Sequence, residues 1–291
     1  MKESDLKHKD AKMRHEGHKV KSPLPPFKKG GDVIEEANMN EFKEKRDMMK
    51  CPVFKEGMEK SDQSNGVPHP PLGKKYDSEL IVLDGFESKS TYKLEYLYDK
   101  RRSVRKYDNQ KQMTQAQLAF LVWSAAGIQC YRGTNNIASF RPTPSGGARH
   151  PFEIYVAVQN VEGLKEGLYH YAPEENVSEK KVTLTYVKSF YDYKEQINNM
   201  IVGQVWGIDA SVVIFVTCIP YRAEWRYNML SHRVMLIDLG HLGQNVMLSA
   251  VDLGLGSCCI AAYDQILCDE FLEIDGVDEY TVYVIPVGHV E

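Results

Sequence analysis

Pro144-Ser145-Gly146-Gly147-Ala148-Arg149-His150-Pro151-Phe152-Glu153-Ile154-Tyr155-Val156 is a glycine turn that runs straight into an apolar strand. A glycine has no Cβ, so Gly146 and Gly147 allow a flat ligand to approach the backbone closely. The strand, read over 152–158, is apolar on both faces and therefore belongs inside a sheet. About forty residues upstream, Arg101-Arg102-Ser103-Val104-Arg105-Lys106-Tyr107 places three guanidinium groups and a hydroxyl within five residues. Guanidinium forks match phosphate and other oxyanions bidentately. Together the two stretches point to a planar, phosphorylated cofactor.

Working outward, helices and strands alternate. A helix is expected over 92–100, ending at the arginines. Thr114 and Gln117 form a capping box that opens a helix over 115–126. Strands follow at 152–158, 167–171 and 182–187, then a helix at 191–201. The β-branched run 211–217 reads as a central strand. A helix over 233–253 is apolar nearly all round, so it belongs in a large core or across a subunit interface. A last strand covers 280–287. The sum is an α+β sandwich, a central mixed sheet flanked by helices.

Residues 1–64 read as a charged extension, broken by Pro and Gly around Ser22–Gly31 and with few apolar residues to bury. A short helix is expected over 35–49. The folded domain is expected over 65–291. Residues 1–60 hold 15 Lys and Arg against 12 Asp and Glu, whereas the rest of the chain holds 21 against 28. An acidic main body argues against nucleic acid as a partner. No apolar run reads as a membrane span, and the charged N-terminus is not a secretory signal. The six cysteines are scattered, with no CxxC pair and no metal spacing, which fits a reduced, cytoplasmic setting.

Four segments in order resemble the nitroreductase superfamily of flavin enzymes, and within it the SagB-type dehydrogenase branch. They are Arg101–Arg105, Pro144–Val156, Asp238–Asn245 and Gly254–Asp264. The resemblance implies a homodimer holding FMN at the subunit interface, with the long helix between subunits. It implies that Arg101, Arg102, Ser103 and Arg105 hold the phosphate, ribityl and pyrimidine oxygens. Pro144, Ser145, Gly146 and Ala148 would reach the partner's flavin. Cys259, Ile260, Ala261 and Ala262 would lie along the ring near N5, with Gln204 a further polar contact. The activity implied is hydride transfer through flavin N5, in ping-pong order, with NAD(P)H as a reductant and a small molecule or a peptide heterocycle as substrate. Azoline oxidases of the branch share a Lys-Tyr pair, matched here by Arg226-Tyr227. Arginine stays protonated and is a poor base, which counts against azoline oxidation and keeps Tyr227 as a candidate proton donor. A second reading is a flavin-storing or flavin-processing protein without redox turnover, motivated by Ala261 and Ala262.

Overall fold

The computed structural model describes residues 49–50, 60–83, 85, 91–179 and 181–291. The chain divides into a unit Met1–Asp47, outside the described residues, and a unit Met48–Glu291. The helix expected over 35–49 therefore lies almost wholly outside them. The packed chain is engaged before residue 65. The Gln63 N–H donates to the Trp225 carbonyl at 2.9 Å, and the Trp225 indole N–H donates to the Val67 carbonyl at 2.8 Å.

Seven strands form the sheet: β1 Leu80–Val82, β4 Phe152–Val158, β5 Gly167–Tyr171, β6 Thr183–Lys188, β7 Val212–Cys218, β8 Leu255–Ser257 and β9 Tyr280–His289. Their order is β1-β6-β5-β4-β7-β9-β8. The named strands pair antiparallel, and a parallel bridge between Ser103 and Ser257 makes the sheet mixed at the β8 edge. β2 Cys130–Arg132 and β3 Ala138–Phe140 form a separate hairpin. That hairpin, β1 and β8 are three-residue strands, too short to show a period of two in sequence.

β4 and β7 are buried along their whole length, as their apolar runs require. Successive side chains on a strand point to opposite faces. Ile154, Val156, Val158, Val212, Ile214 and Val216 therefore share one core with α2 (Gln115–Ala126) and α5 (Ser231–Asp252). Tyr155, Ala157, Val213 and Phe215 face the other core, against α3 (Tyr193–Met200) and α6 (Gln265–Leu272). The remaining helices are α1 (Leu94–Lys100) and α4 (Tyr221–Tyr227). The Thr114–Gln117 capping box is formed at the start of α2.

α5 buries Met235, Asp238, Leu239, Leu242, Gly243, Val246, Ser249 and Ala250, and leaves Leu236 and Ile237 exposed. The helical stretch Tyr221–Asp252 is long and apolar enough to cross a membrane by length and composition, which the reading of apolar runs missed. Half of its most apolar window is buried within the chain, as in a core helix.

Candidate cofactor and substrate site

The arginine segment is held against the sheet edge by its backbone. Arg101 caps α1 through its N–H to the Leu97 carbonyl at 2.9 Å. The chain then runs extended, and the Val104 N–H donates to the Ser257 carbonyl of β8 at 3.0 Å. The Tyr107 hydroxyl donates to the carbonyls of Val104 (2.9 Å) and Pro286 (3.2 Å), fastening the segment at its far end. With the backbone so tied, the Arg102 and Arg105 side chains project to the exposed side. Arg102 donates to the Arg101 carbonyl, and the Arg105 guanidinium lies 5.6 Å from the Trp206 ring centre. Among the described residues none of the three arginines forms an ion pair. Three guanidinium groups outside ion pairs are suited to a phosphate.

The chain leaving β8 turns back along the same edge. The Ile260 N–H donates to the Val284 carbonyl at 2.8 Å. The Gln204 amide nitrogen donates to the carbonyls of Ile201 (3.1 Å) and Ala262 (2.9 Å). Gln204 therefore holds the 258–262 loop, and its amide hydrogens are spent on backbone. Burial pushes the Cys259 thiol up to about 11 and raises Cys258 as well, so neither is a thiolate at neutral pH. Arg101, Arg102, Ser103, Arg105, Gln204, Cys259, Ile260, Ala261 and Ala262 are thus gathered at one edge of the sheet.

The glycine turn lies elsewhere, beside α4 and α5. Gly147, Ala148 and His150 have φ of 61°, 53° and 44°. For Ala148 and His150 this is the sparsely populated left-handed region. The turn is held by the Ala148 N–H to the Ser145 carbonyl, the His150 N–H to Ser145 Oγ at 3.0 Å, and the Gly146 N–H to the Asp238 carboxylate at 3.0 Å. Arg226 and Tyr227 close over it. A Cβ on Gly147 would meet Tyr227 Oη and, at 2.8 Å, Arg226 Nε, while one on Gly146 would meet Val234. Within one chain Gly146 is demanded by Val234 on α5, and Gly147 is favoured by its own positive φ. Pro144, Ser145, Gly146, Ala148, Arg226 and Tyr227 form this second group. No hydrogen bond or ion pair joins it to the first among the described residues.

His150 Nε2 lies 2.9 Å from the Ser139 carbonyl, which only accepts, so Nε2 carries the proton. Burial, aided by the Arg141 charge, brings the imidazole down to about 3, so it is neutral at pH 7. Asp238 is also buried, and its carboxyl is raised by that burial against the opposing Ser145 and Gly146 hydrogen bonds.

Sequence reading missed a buried network under β4. Glu153 pairs with Arg222 at 2.5 Å and His170 at 2.8 Å, and accepts the Lys74 N–H at 2.8 Å. Burial alone would raise the Glu153 carboxyl, but Arg222 and His170 outweigh it and hold it well below the carboxylate range. A glutamate inside an apolar strand was the signal available. α4 was missed because its seven residues follow Pro220, an N-cap without a side-chain hydrogen bond.

A seven-stranded sheet between two helical layers, with an arginine-rich edge and a glycine turn, defines a nitroreductase-like α+β fold. The chain belongs to the nitroreductase family: the family's sequence model matches residues 98–289. It is 31% identical over 196 residues to the nitroreductase-family protein MJ1384 of Methanocaldococcus jannaschii, covering 67% of this chain and 90% of that one. It is 31% identical over 137 residues to the trifolitoxin-processing protein TfxB of Rhizobium leguminosarum bv. trifolii, covering 46% of this chain and 36% of TfxB. The structure of a nitroreductase from Anabaena variabilis superposes with a TM-score of 0.55 at 30% identity, over 68% of this chain and 38% of that protein. The chain thus spans little more than a third of the length of the latter two.

Proposed function

We propose that this chain is an FMN-dependent oxidoreductase that works as a homodimer. The observation that carries the reading is the arginine segment: Arg101, Arg102 and Arg105 have no ion-pair partner among the described residues, and they stand beside the 258–262 loop on a fixed sheet edge. FMN, when bound there, would supply hydride transfer at N5 between two substrates taken in turn, one of them NAD(P)H. Arg101, Arg102, Ser103 and Arg105 would bind its polar end. Backbone groups of Cys259, Ile260, Ala261 and Ala262 would line the ring, and Gln204 would orient them. The second group, Pro144–Ala148 with Tyr227, would complete the partner subunit's site. The separation of the two groups in one chain favours that arrangement. The exposed apolar residues Leu236 and Ile237 on α5, with Leu94 and Tyr98 on α1, offer a surface for the second copy. Tyr227 would donate the proton that accompanies hydride transfer. Similarity to TfxB favours a substrate in peptide processing, and the free thiols among the described cysteines fit a reduced, cytoplasmic setting.

The test is an absorbance spectrum of the purified protein followed by anaerobic addition of NADH or NADPH. Flavin bands that bleach are expected. Arg101→Ala and Arg105→Ala should each weaken FMN binding by about 1.5–3 kcal/mol, the value of a hydrogen bond to a charged group. Full flavin occupancy in both variants would overturn the placement.

A further inference from the structure

Between the glycine turn and the β2–β3 hairpin lies a cleft of about 650 Å³, lined among others by Gln129, Phe140, Arg141, Ser145, His150 and Arg226. Its lining includes two arginines and no acidic residue. The positive charge there is compensated only from a distance, by Glu153 acting on Arg141. Arg141 is buried and donates only to neutral acceptors: Ser139 Oγ (3.1 Å), the Ala126 carbonyl (3.2 Å) and the Leu72 carbonyl (3.1 Å). Behind the cleft Arg149 is 1% exposed and stacks on Trp225 at 4.9 Å. It donates to the carbonyls of Arg222 and Ile137, and its Nη2 is buried with no partner. Arg226 is exposed and rests on the Tyr227 ring at 5.5 Å. Among the described residues none of these three arginines forms an ion pair.

A buried charge without a counter-charge is among the costliest arrangements in a protein interior. Burial lowers Arg141 to about 10, which still leaves it charged at neutral pH. Arg149 is lowered by burial and then by the Arg226 charge, so the two guanidinium groups feel each other. His150 is neutral and adds no repulsion to a base or an acid in the cleft. The rest of the chain does not explain this concentration, because beyond residue 60 acids outnumber Lys and Arg. A cleft with walls of one charge sign focuses its field on an entering ion of the opposite sign. Phe140, 46% exposed and topped by the Arg132 guanidinium at 5.5 Å, gives the same cleft an apolar wall.

We propose that this cleft is a binding subsite for an organic oxyanion, with Arg226 making the direct contact and Arg141 and Arg149 supplying the buried positive potential behind it. Its place in turnover rests on the flavoenzyme reading, because the glycine turn forms one wall; the binding itself does not need flavin. A carboxylate on the organic substrate and a phosphate on a nucleotide reductant share this chemistry.

The test is calorimetric titration of the purified full-length protein with benzoate, phenyl phosphate and benzamide at low ionic strength, repeated with Arg226→Gln. At least one anion should bind tenfold or more tightly than benzamide, and Arg226→Gln should remove most of that difference. Preference for benzoate assigns the subsite to a carboxylate substrate, and preference for phenyl phosphate to a phosphorylated one. Arg226 is exposed, so the variant should fold as the parent does. Equal binding of all three probes, binding of none, or an unchanged preference in Arg226→Gln overturns the proposal. Flavin content is read on the same sample. Discrimination without flavin removes the flavoenzyme reading alone, and flavin without discrimination removes the subsite alone.

Discussion

The buried carboxylate of Asp238 on α5 accepts the N–H of Gly146 at 3.0 Å, tying the glycine turn to a helix 92 residues further along the chain. The tie fixes a turn whose Ala148 and His150 sit at unfavourable positive φ, so the turn depends on its anchors. Asp238→Ala should cost about 1.5–3 kcal/mol in unfolding free energy, the value of a charged hydrogen bond. Asp238→Asn keeps an acceptor and should recover most of it. Denaturant unfolding of the two variants checks this, and equal losses would show that the anchor is not the hydrogen bond.

The arginine segment is seated by a missing side chain. A Cβ on Gly256 of β8 would lie 2.6 Å from Val104 Cγ1. Gly256→Ala should push residues 103–105 off the sheet edge, costing about 1–3 kcal/mol by overpacking and weakening FMN binding by roughly tenfold. The double variant Val104→Gly/Gly256→Ala removes all three crowding atoms, Cβ included, and should restore binding. Fluorescence titration with FMN measures both, and no recovery in the double variant would refute the account.

His150 should make the protein acid-sensitive. Its imidazole ordinarily titrates near 6.5 and in the fold near 3. Between those values the unfolded chain binds a proton that the native state refuses, so stability falls as the pH drops. The loss approaches about 1.4 kcal/mol per pH unit, or about 2 kcal/mol between pH 7 and pH 5. His150→Gln should flatten this dependence by about that amount in denaturant titrations at the two pH values.

Glu153 contributes stability of the same sign at lower pH. Its carboxyl is held below its usual range, so its contribution is complete above pH 4.5 and is lost as the pH falls further. Glu153→Gln leaves Arg222, 3% exposed, without its counter-charge. Breaking a buried pair from one side costs about 3–5 kcal/mol. A drop in melting temperature is the readout, and a variant as stable as the parent would mean that Arg222 finds another partner.

By itself the sequence determined the elements that carry a strong local signal. β4, β7 and α2 stand, to within one residue, where an apolar run, β-branching and the Thr114 capping box placed them, because those signals depend on neighbours a few residues apart. The same holds for the family, whose four segments are short and local. Only the tertiary structure decided which segments meet. It set the arginines against β8 through Val104 and Ser257, and the glycine turn against Asp238 and Tyr227 at a different place. It also revealed that Val234 leaves no room for a side chain at Gly146, and that Arg141 and Arg149 are buried and form no ion pair among the described residues. Those facts depend on contacts between residues far apart in the chain and on desolvation. Both are properties of the packed fold and leave no periodic trace in the sequence.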